Sequence, residues 1–351
     1  MNPGLGQALA DEITVLDMHT AGEPVRIVTS GYPHLAGATI LDKRREAERR
    51  HDHLRRRLML EPRGHGGMYG VIPVKPSTPE ADLAVLFVHA DGYSTMCGHA
   101  TIAVARWALD NGLVPVRSAD GGFTLECPCG LVEVFARTGA EGAPETGFVS
   151  VPAFADDAPR TVHVAGFGAV EVELAFGGAH YAILPASRLG LSFDRDSIAG
   201  PSAAAATVLT AARAQLEVPR SGEPDLDFLY GVILTDDARW PDPTRNICVF
   251  AAGQIDRSPT GSGVTARIAL DTLAHGAPLN VERRFIGPTR ESFAAAAVGR
   301  ESQGERDTVR VRVAGQSFYT GRSTFLFQDS DPLRDGFLLM SEAAGPEGSE
   351  G

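Results

Sequence analysis

A cysteine and a threonine with similar surroundings are the residues of this sequence best suited to chemistry. Cys97 lies in "STMCGHATIAVARWALDNG" and Thr260 lies in "DRSPTGSGVTARIALDTLAHG". Each is followed by a glycine, a polar residue and an apolar run rich in Ala, Ile, Leu and Val. These runs predict helices over about 98–111 and 261–275, so each helix would begin beside a side chain with chemical potential.

Helix N-termini give this arrangement a specific chemistry. Their unpaired N–H groups and partial positive charge bind anions such as a carboxylate, and the same field is expected to lower the pKa of Cys97. The hydroxyl of Thr260 holds its proton too tightly to act as a base at neutral pH. Two such helix ends facing each other would hold one small carboxylate, with Cys97 and Thr260 on opposite faces of its α-carbon. The structural alternatives are a small buried apolar residue for Cys97 and a helix N-cap for Thr260.

Composition restricts the classes of function. The chain has 351 residues, 43% of them hydrophobic, which suits one large or two ordinary domains with a substantial core. A formal net charge of −12 argues against nucleic acid or an anionic membrane as partner. The basic stretch "DKRREAERRHDHLRRR" at 42–57 is interpreted as part of a solvated amphipathic helix over about 43–60 rather than an RNA-binding arm.

The location predicted from the sequence is the cytoplasm. No apolar run approaches the roughly 20 residues needed to span a bilayer, and the N-terminal "MNPGLGQALADE" does not have the pattern of a signal peptide. Four cysteines, at 97, 127, 129 and 248, do not form a disulfide framework in a chain of this length.

The remaining pattern predicts an α+β fold with two similar halves. Short alternating apolar runs bounded by Gly, Pro, Asp or Asn indicate strands, and a further helix is predicted over 200–215. Cys97 and Thr260 are 163 residues apart, close to half the chain. We therefore expect an N-terminal lobe over 12–155, completed by about 322–340, a C-terminal lobe over 156–321, and a disordered tail over 341–351.

The two motifs resemble those of a known enzyme family. "STMCGHATIA" and "DRSPTGSGVTAR" are similar to the two active-site motifs of the proline racemase family, and four further segments follow the family order. These are "DMHTAGEPVRIV", "EPRGHGGMYGV", "AFGGAHYAI" and "GQSFYTG". The resemblance covers roughly residues 12–340. It implies two pseudo-symmetric lobes, each with strands wrapped around a central helix, and a possible homodimer.

The resemblance also implies a reaction. Racemases and 4-hydroxyproline epimerases of the family carry a cysteine, or a serine at the first position, in both motifs. A Cys/Thr pair resembles the branch that dehydrates trans-3-hydroxy-L-proline to pyrroline-2-carboxylate. In that substrate the α-hydrogen and the hydroxyl lie on one ring face, so one acid/base group suffices for a syn elimination. No metal, pyridoxal phosphate, nicotinamide or other cofactor is required.

Roles for the site residues follow from the same resemblance. Cys97 would be the base, and Thr260 would line the opposite face. Asp256 matches the family aspartate that accepts hydrogen bonds from the ring ammonium, and His99 is a further group that could contact the leaving oxygen. The N–H groups that would bind the carboxylate belong to Gly98, His99, Gly261 and Ser262.

Two other functions stay open at this point. A racemase or epimerase would pair Cys97 with another proton source, and the lack of a second thiol at Thr260 argues against it. A non-catalytic imino-acid-binding protein would need the helix ends but would gain nothing from a thiolate. His180 stands where the family often has a bulky residue lining the site, and this difference is expected to alter one pocket wall.

Overall fold

The helices appear where the sequence predicts them. The computed structural model describes residues 11–339, apart from 116–121, 139–143, 194–196, 220, 222, 252 and 305. Within these ranges the chain forms four α-helices: α1 (Ile40–Met59), α2 (Gly98–Asp110), α3 (Ala199–Gln215) and α4 (Gly261–Leu273). The predicted helices at 43–60, 98–111, 200–215 and 261–275 are confirmed, whereas the tail at 341–351 lies outside the described residues.

Strands make up most of the remaining regular structure. Those of the first half are β1 (Asp11–Thr20), β2 (Glu23–Ser30), β3 (Tyr69–Val74), β4 (Leu83–His89), β5 (Gly92–Ser94), β6 (Phe123–Cys127), β7 (Gly130–Thr138) and β8 (Pro144–Val149). Those that follow are β9 (Phe154–Ala155), β10 (Arg160–Val164), β11 (Gly168–Phe176), β12 (His180–Pro185), β13 (Leu229–Thr235), β14 (Thr244–Phe250), β15 (Gln254–Asp256), β16 (Arg283–Ile286), β17 (Ser292–Gln303), β18 (Arg306–Gly315) and β19 (Ser317–Phe327).

The order and pairing of these elements repeat. In the first half, β1 and β2 are antiparallel, α1 leads to β3 parallel to β2, the β4–β5 hairpin precedes α2, and β6 pairs parallel to β4. In the second, β11 and β12 are antiparallel, α3 leads to β13 parallel to β12, the β14–β15 hairpin precedes α4, and β16 pairs parallel to β14. The expected α+β fold of two pseudo-symmetric lobes is thereby confirmed.

Each repeat has one helix enclosed by strands. α2 contacts β1, β2, β3, β7, β8 and β19, and α4 contacts β9, β11, β12, β17 and β18. Every residue from Gly98 to Ala105 is buried, as is every residue from Gly261 to Leu270. A helix buried on all sides must be apolar all round, which explains the Ala-, Ile- and Val-rich runs after both motifs.

The other two helices cover the outside of the strands. α3 packs on β10, β13 and β14, and α1 packs on β4 and β5. α1 starts with a capping box in which Thr39 and Asp42 exchange hydrogen bonds. Its basic face is less solvated than the sequence suggests, because Arg55 is buried and donates to the carbonyls of His89 and Ala90.

The strand pairings add detail to the proposed lobe boundaries. β9 pairs with β11 and contacts α4, whereas β19 pairs along its length with β1. The division at 155/156, with a returning segment at 322–340, remains our proposal. These pairings favour placing β9 with the second lobe and beginning the returning segment at β19. None of the helices in the described ranges combines the length and apolar character needed to cross a bilayer.

Candidate active site

The N-termini of α2 and α4 touch at a pair of glycines. A Cβ atom added to Gly98 would lie 2.3 Å from the Cα of Gly261, and one added to Gly261 would lie 2.6 Å from the Cα of Gly98. Real side chains do not tolerate such distances, so this close approach requires glycine on both helices. The expectation that the two helix starts face each other is met, and their unpaired N–H groups converge on one place.

Cys97 occupies the N-cap of α2 at the end of the segment that follows β5. Its sulfur accepts a hydrogen bond from the Ala100 N–H at 3.4 Å, and its carbonyl accepts one from the Thr101 hydroxyl at 2.7 Å. The side chain is 5% exposed. The thiol is therefore fixed at the positive end of the helix rather than merely packed in the core.

Thr260 precedes α4 in an unusual backbone conformation. Its φ of 66° lies in the left-handed region, where a β-branched residue is rare and costs on the order of 1–3 kcal/mol. The side chain makes no capping hydrogen bond, and its buried hydroxyl lies near the Cys248 thiol. Thr260 thus occupies the N-cap position of α4, as the structural alternative expected, but its hydroxyl does not contact the helix N–H groups that a capping side chain would bind.

His99 and Asp256 extend from the thiol into a buried polar cluster. The His99 Nδ1 lies 3.1 Å from the Cys97 sulfur and 4.0 Å from an Asp256 carboxylate oxygen. The other oxygen of Asp256 accepts the Ser258 N–H at 2.8 Å. Glu23 lies close by, accepting the Arg257 N–H at 2.6 Å and the Arg257 guanidinium at 3.2 Å. Both carboxylates are almost fully buried, at 1–3% exposed.

Burial dominates the electrostatics of this cluster. It raises the pKa of the Cys97 thiol well above its usual value, Asp256 adds to the rise, and the Ala100 N–H opposes it. Burial likewise raises the pKa of Glu23 and lowers that of His99, which favours a neutral imidazole. The expectation that the helix field lowers the thiol pKa is wrong for the site as it stands, because desolvation outweighs that field.

A small cavity lies where the two helix starts meet. Its empty volume is about 240 Å³ when the open solvent at its mouth is included, and only about 10 Å³ of it can hold the centre of a water-sized sphere. All the residues predicted for the site line it: Cys97, Gly98, His99, Asp256, Thr260, Gly261 and Ser262. The sequence analysis missed its other wall, which consists of Tyr69, Met96, Tyr181, Tyr230 and Phe250. Four of them lie on strands β3, β12, β13 and β14. Tyr69, Met96 and Tyr181 fall within the family-like segments, but nothing in those segments indicated that their side chains face the cavity.

His180 does not form part of that wall. Its ring packs between Phe176 at 4.8 Å and Phe154 at 5.8 Å, whereas the next residue, Tyr181, lines the cavity and hydrogen-bonds Ser262 at 2.7 Å. The expectation that His180 alters a pocket wall is wrong. The residue that lines the wall is its neighbour Tyr181, because successive side chains on a strand point to opposite faces.

Comparison with known proteins places this site in a family. The family model described as Proline racemase matches residues 15–338, almost the whole described chain. The chain belongs to the proline racemase family. The resemblance drawn from the two motifs is thus confirmed.

Curated relatives are 38–48% identical to this chain over most of its length. The human protein named trans-3-hydroxy-L-proline dehydratase is 48% identical over 335 residues, covering 93% of this chain and 94% of the relative. A protein of the same name from Colwellia psychrerythraea is 38% identical, covering 93% and 92%.

A solved structure shares the fold at lower identity. The hydroxyproline epimerase from Agrobacterium vitis, determined with bound trans-4-hydroxy-L-proline, superposes with a TM-score of 0.86 at 22% identity. The match covers 94% of this chain and 96% of the epimerase. Because only 22% of the residues are identical, this similarity establishes the fold and not the reaction.

Proposed function

We propose that this protein is a cofactor-independent hydro-lyase that dehydrates trans-3-hydroxy-L-proline to pyrroline-2-carboxylate. The observation that carries the proposal is the asymmetry of the cavity: Cys97 stands at the start of one helix and Thr260 at the start of the other. Racemisation needs an acid/base group on each side, whereas a syn elimination needs one. The names of the 38–48% identical relatives support the same reaction.

The helix ends account for substrate binding. The carboxylate of the imino acid would lie between the first N–H groups of α2 and α4, from Gly98, His99, Gly261 and Ser262. These donors also stabilise the negative charge that develops toward the carboxylate when the α-proton leaves. The ring ammonium would donate to Asp256, whose buried carboxylate lies beside His99.

Cys97 would remove the α-proton as a thiolate. In the protein alone burial holds the thiol pKa high. A substrate ammonium beside Asp256 offsets that carboxylate's charge and adds a positive charge near the sulfur, which favours the thiolate. Substrate binding thereby prepares the base. Loss of hydroxide from C3 on the same ring face gives an enamine, which tautomerises to the cyclic imine.

We also propose that the protein works in the cytoplasm and forms a homodimer. All four cysteines are free thiols, which is what a reducing compartment maintains. The net charge of −12 continues to disfavour nucleic acid and anionic membranes as partners.

Proton NMR in D2O with three substrates tests the reaction directly. Purified protein is incubated with trans-3-hydroxy-L-proline, trans-4-hydroxy-L-proline and L-proline. We expect the first to disappear as a pyrroline carboxylate forms. Deuterium at the α-carbon of the other two, with inversion and without dehydration of the first, would instead establish an epimerase or racemase. Binding without turnover of all three would indicate a binding protein.

A further inference from the structure

The hydroxyl of Tyr69 is a buried polar group inside the active-site cavity. Tyr69 is 1% exposed, and its hydroxyl oxygen makes no well-formed hydrogen bond to a described group, although the Cys97 sulfur and the Ser94 side chain lie near it. Buried tyrosines usually find a better-aligned partner. The side chain lines the cavity together with Cys97 and His99, and its ring lies 4.8 Å from the His99 imidazole in an edge-to-face contact. A substrate in the cavity can supply such a partner.

The fold places Tyr69 with the thiol rather than with the threonine. Tyr69 begins β3, a strand that packs on α2, the helix that starts beside Cys97. Thr260 belongs to the other helix. The Tyr69 hydroxyl interacts with the Cys97 thiol, since each group is among the causes that shift the pKa of the other. In the proposed reaction both the α-hydrogen and the 3-hydroxyl lie on the Cys97 side of the ring.

Of the other cavity tyrosines, Tyr181 has a different hydroxyl partner, whereas the Tyr230 hydroxyl lies near the same Cys97 and Ser94 side chains and near Tyr69 itself. The Tyr181 hydroxyl is hydrogen-bonded to Ser262 at 2.7 Å, and the Tyr230 ring stacks on Phe250 at 5.4 Å with an interplanar angle of 15°. Burial raises the pKa of Tyr69 well above its usual value, so the group carries its proton at neutral pH. Tyr69 is therefore a protonated donor next to the base.

We propose that Tyr69 donates a hydrogen bond to the 3-hydroxyl of the substrate and gives its proton to the oxygen as it leaves. This inference rests on the proposed dehydratase function. The Cys97 thiolate takes the α-proton, the electron pair of that C–H bond forms the C2–C3 double bond, and the C3–O bond breaks. The oxygen takes the Tyr69 proton and departs as water. Transfer of the thiol proton of Cys97 to the tyrosinate restores both groups.

Tyr69→Phe tests the assignment by separating the two bond cleavages. With trans-3-hydroxy-L-proline in D2O, we expect kcat for pyrroline formation to fall by on the order of 100-fold or more, the usual contribution of a positioned acid. Deuterium exchange at the α-carbon of recovered substrate should continue in Tyr69→Phe and be lost in Cys97→Ser, because only the base is needed for it. Tyr93→Phe is the matched control, because Tyr93 is also a buried tyrosine but lies outside the cavity.

A substrate with a different leaving group completes the test. Fluoride departs with far less need of a proton than hydroxide, so Tyr69→Phe should eliminate fluoride from trans-3-fluoro-L-proline much faster than it eliminates water. Unchanged dehydration by Tyr69→Phe would overturn the proposal. Equal loss of exchange, fluoride release and dehydration would overturn it too, since Tyr69 would then act on Cys97 or on the fold. If the wild type does not dehydrate the hydroxy substrate, the proposed function itself fails, whatever the variant does.

Discussion

At the scale of single residues, the thiol of Cys97 is the group on which the proposed chemistry depends. Its pKa is raised by burial, yet a helix N-terminus, the Ala100 N–H and the His99 imidazole surround it. We expect Cys97→Ser to lower kcat for dehydration at least about 100-fold, because an alcohol is a far weaker acid and is rarely ionised. Steady-state assays of pyrroline formation measure this, with circular dichroism to verify the fold. A variant with near-normal kcat would exclude the thiolate mechanism.

Thr260 carries the complementary prediction. Thr260→Ala should keep kcat for dehydration within about tenfold of the wild type, because the proposed elimination takes no proton from that side. Thr260→Cys supplies a second thiol and should introduce α-deuterium into L-proline with inversion, detected by NMR and chiral chromatography. Loss of dehydration in Thr260→Ala, at unchanged thermal stability, would mean that the threonine hydroxyl takes part in the reaction.

Residue roles were only partly predictable from the sequence. All seven predicted site residues line one cavity, because their motifs place them at two helix starts that the fold brings together. The raised pKa of Cys97 was not predictable, since burial depends on neighbours from distant strands. Tyr69 and Tyr181 were missed for a related reason. Whether a strand residue faces the cavity depends on the register of its strand, which the sequence does not give. His180 and Tyr181 are neighbours in sequence, yet only Tyr181 lines the cavity.

At the scale of elements, the contact between the starts of α2 and α4 defines the site. Gly98→Ala would put a methyl group 2.3 Å from the backbone of Gly261, so the two helices must separate. We expect a loss of about 1–3 kcal/mol in the free energy of unfolding and a large fall in kcat/KM, because the carboxylate donors no longer converge. Urea unfolding and steady-state kinetics measure both effects.

Gly92→Ala is the control for that prediction. Gly92 lies in β5 just before the same motif, where an added Cβ meets nothing within 4 Å. It should leave kcat/KM close to the wild-type value. If Gly98→Ala behaves like Gly92→Ala, the close approach of the helices is not needed for binding, and the carboxylate must be held elsewhere.

At the scale of the whole molecule, the repeat explains why two distant motifs form one site. The order of strand, helix and hairpin recurs around α2 and α4, and pairing of β8 with β18 joins the sheets of the two halves. The 163-residue spacing of Cys97 and Thr260 was enough to predict two halves. The sequence analysis predicts a returning segment at about 322–340 but not its pairing, in which β19 lies along β1, because a long-range strand pairing leaves no local pattern in the sequence.

The stability of the molecule should fall in mild acid because of buried histidines. Burial lowers the pKa of His180 to about 4 and that of His89 to about 3, while Asp227 opposes the shift at His180 and nearby arginines assist both. Both folded-state values lie below the unfolded value near 6.5. Stability is therefore fully present above about pH 6.5 and is lost as the pH falls toward 4, because the unfolded chain binds protons that the folded chain excludes.

The contribution of His180 can be measured separately. Each such histidine adds a slope of up to about 1.4 kcal/mol per pH unit to the free energy of unfolding in this range. Urea unfolding of His180→Gln between pH 4 and 8 should show a smaller slope than the wild type, while any difference at pH 8 reports packing alone. An unchanged slope would mean that His180 takes up its proton within the fold, paired with Asp227 at 3.9 Å, and that acid sensitivity arises at His89 or elsewhere.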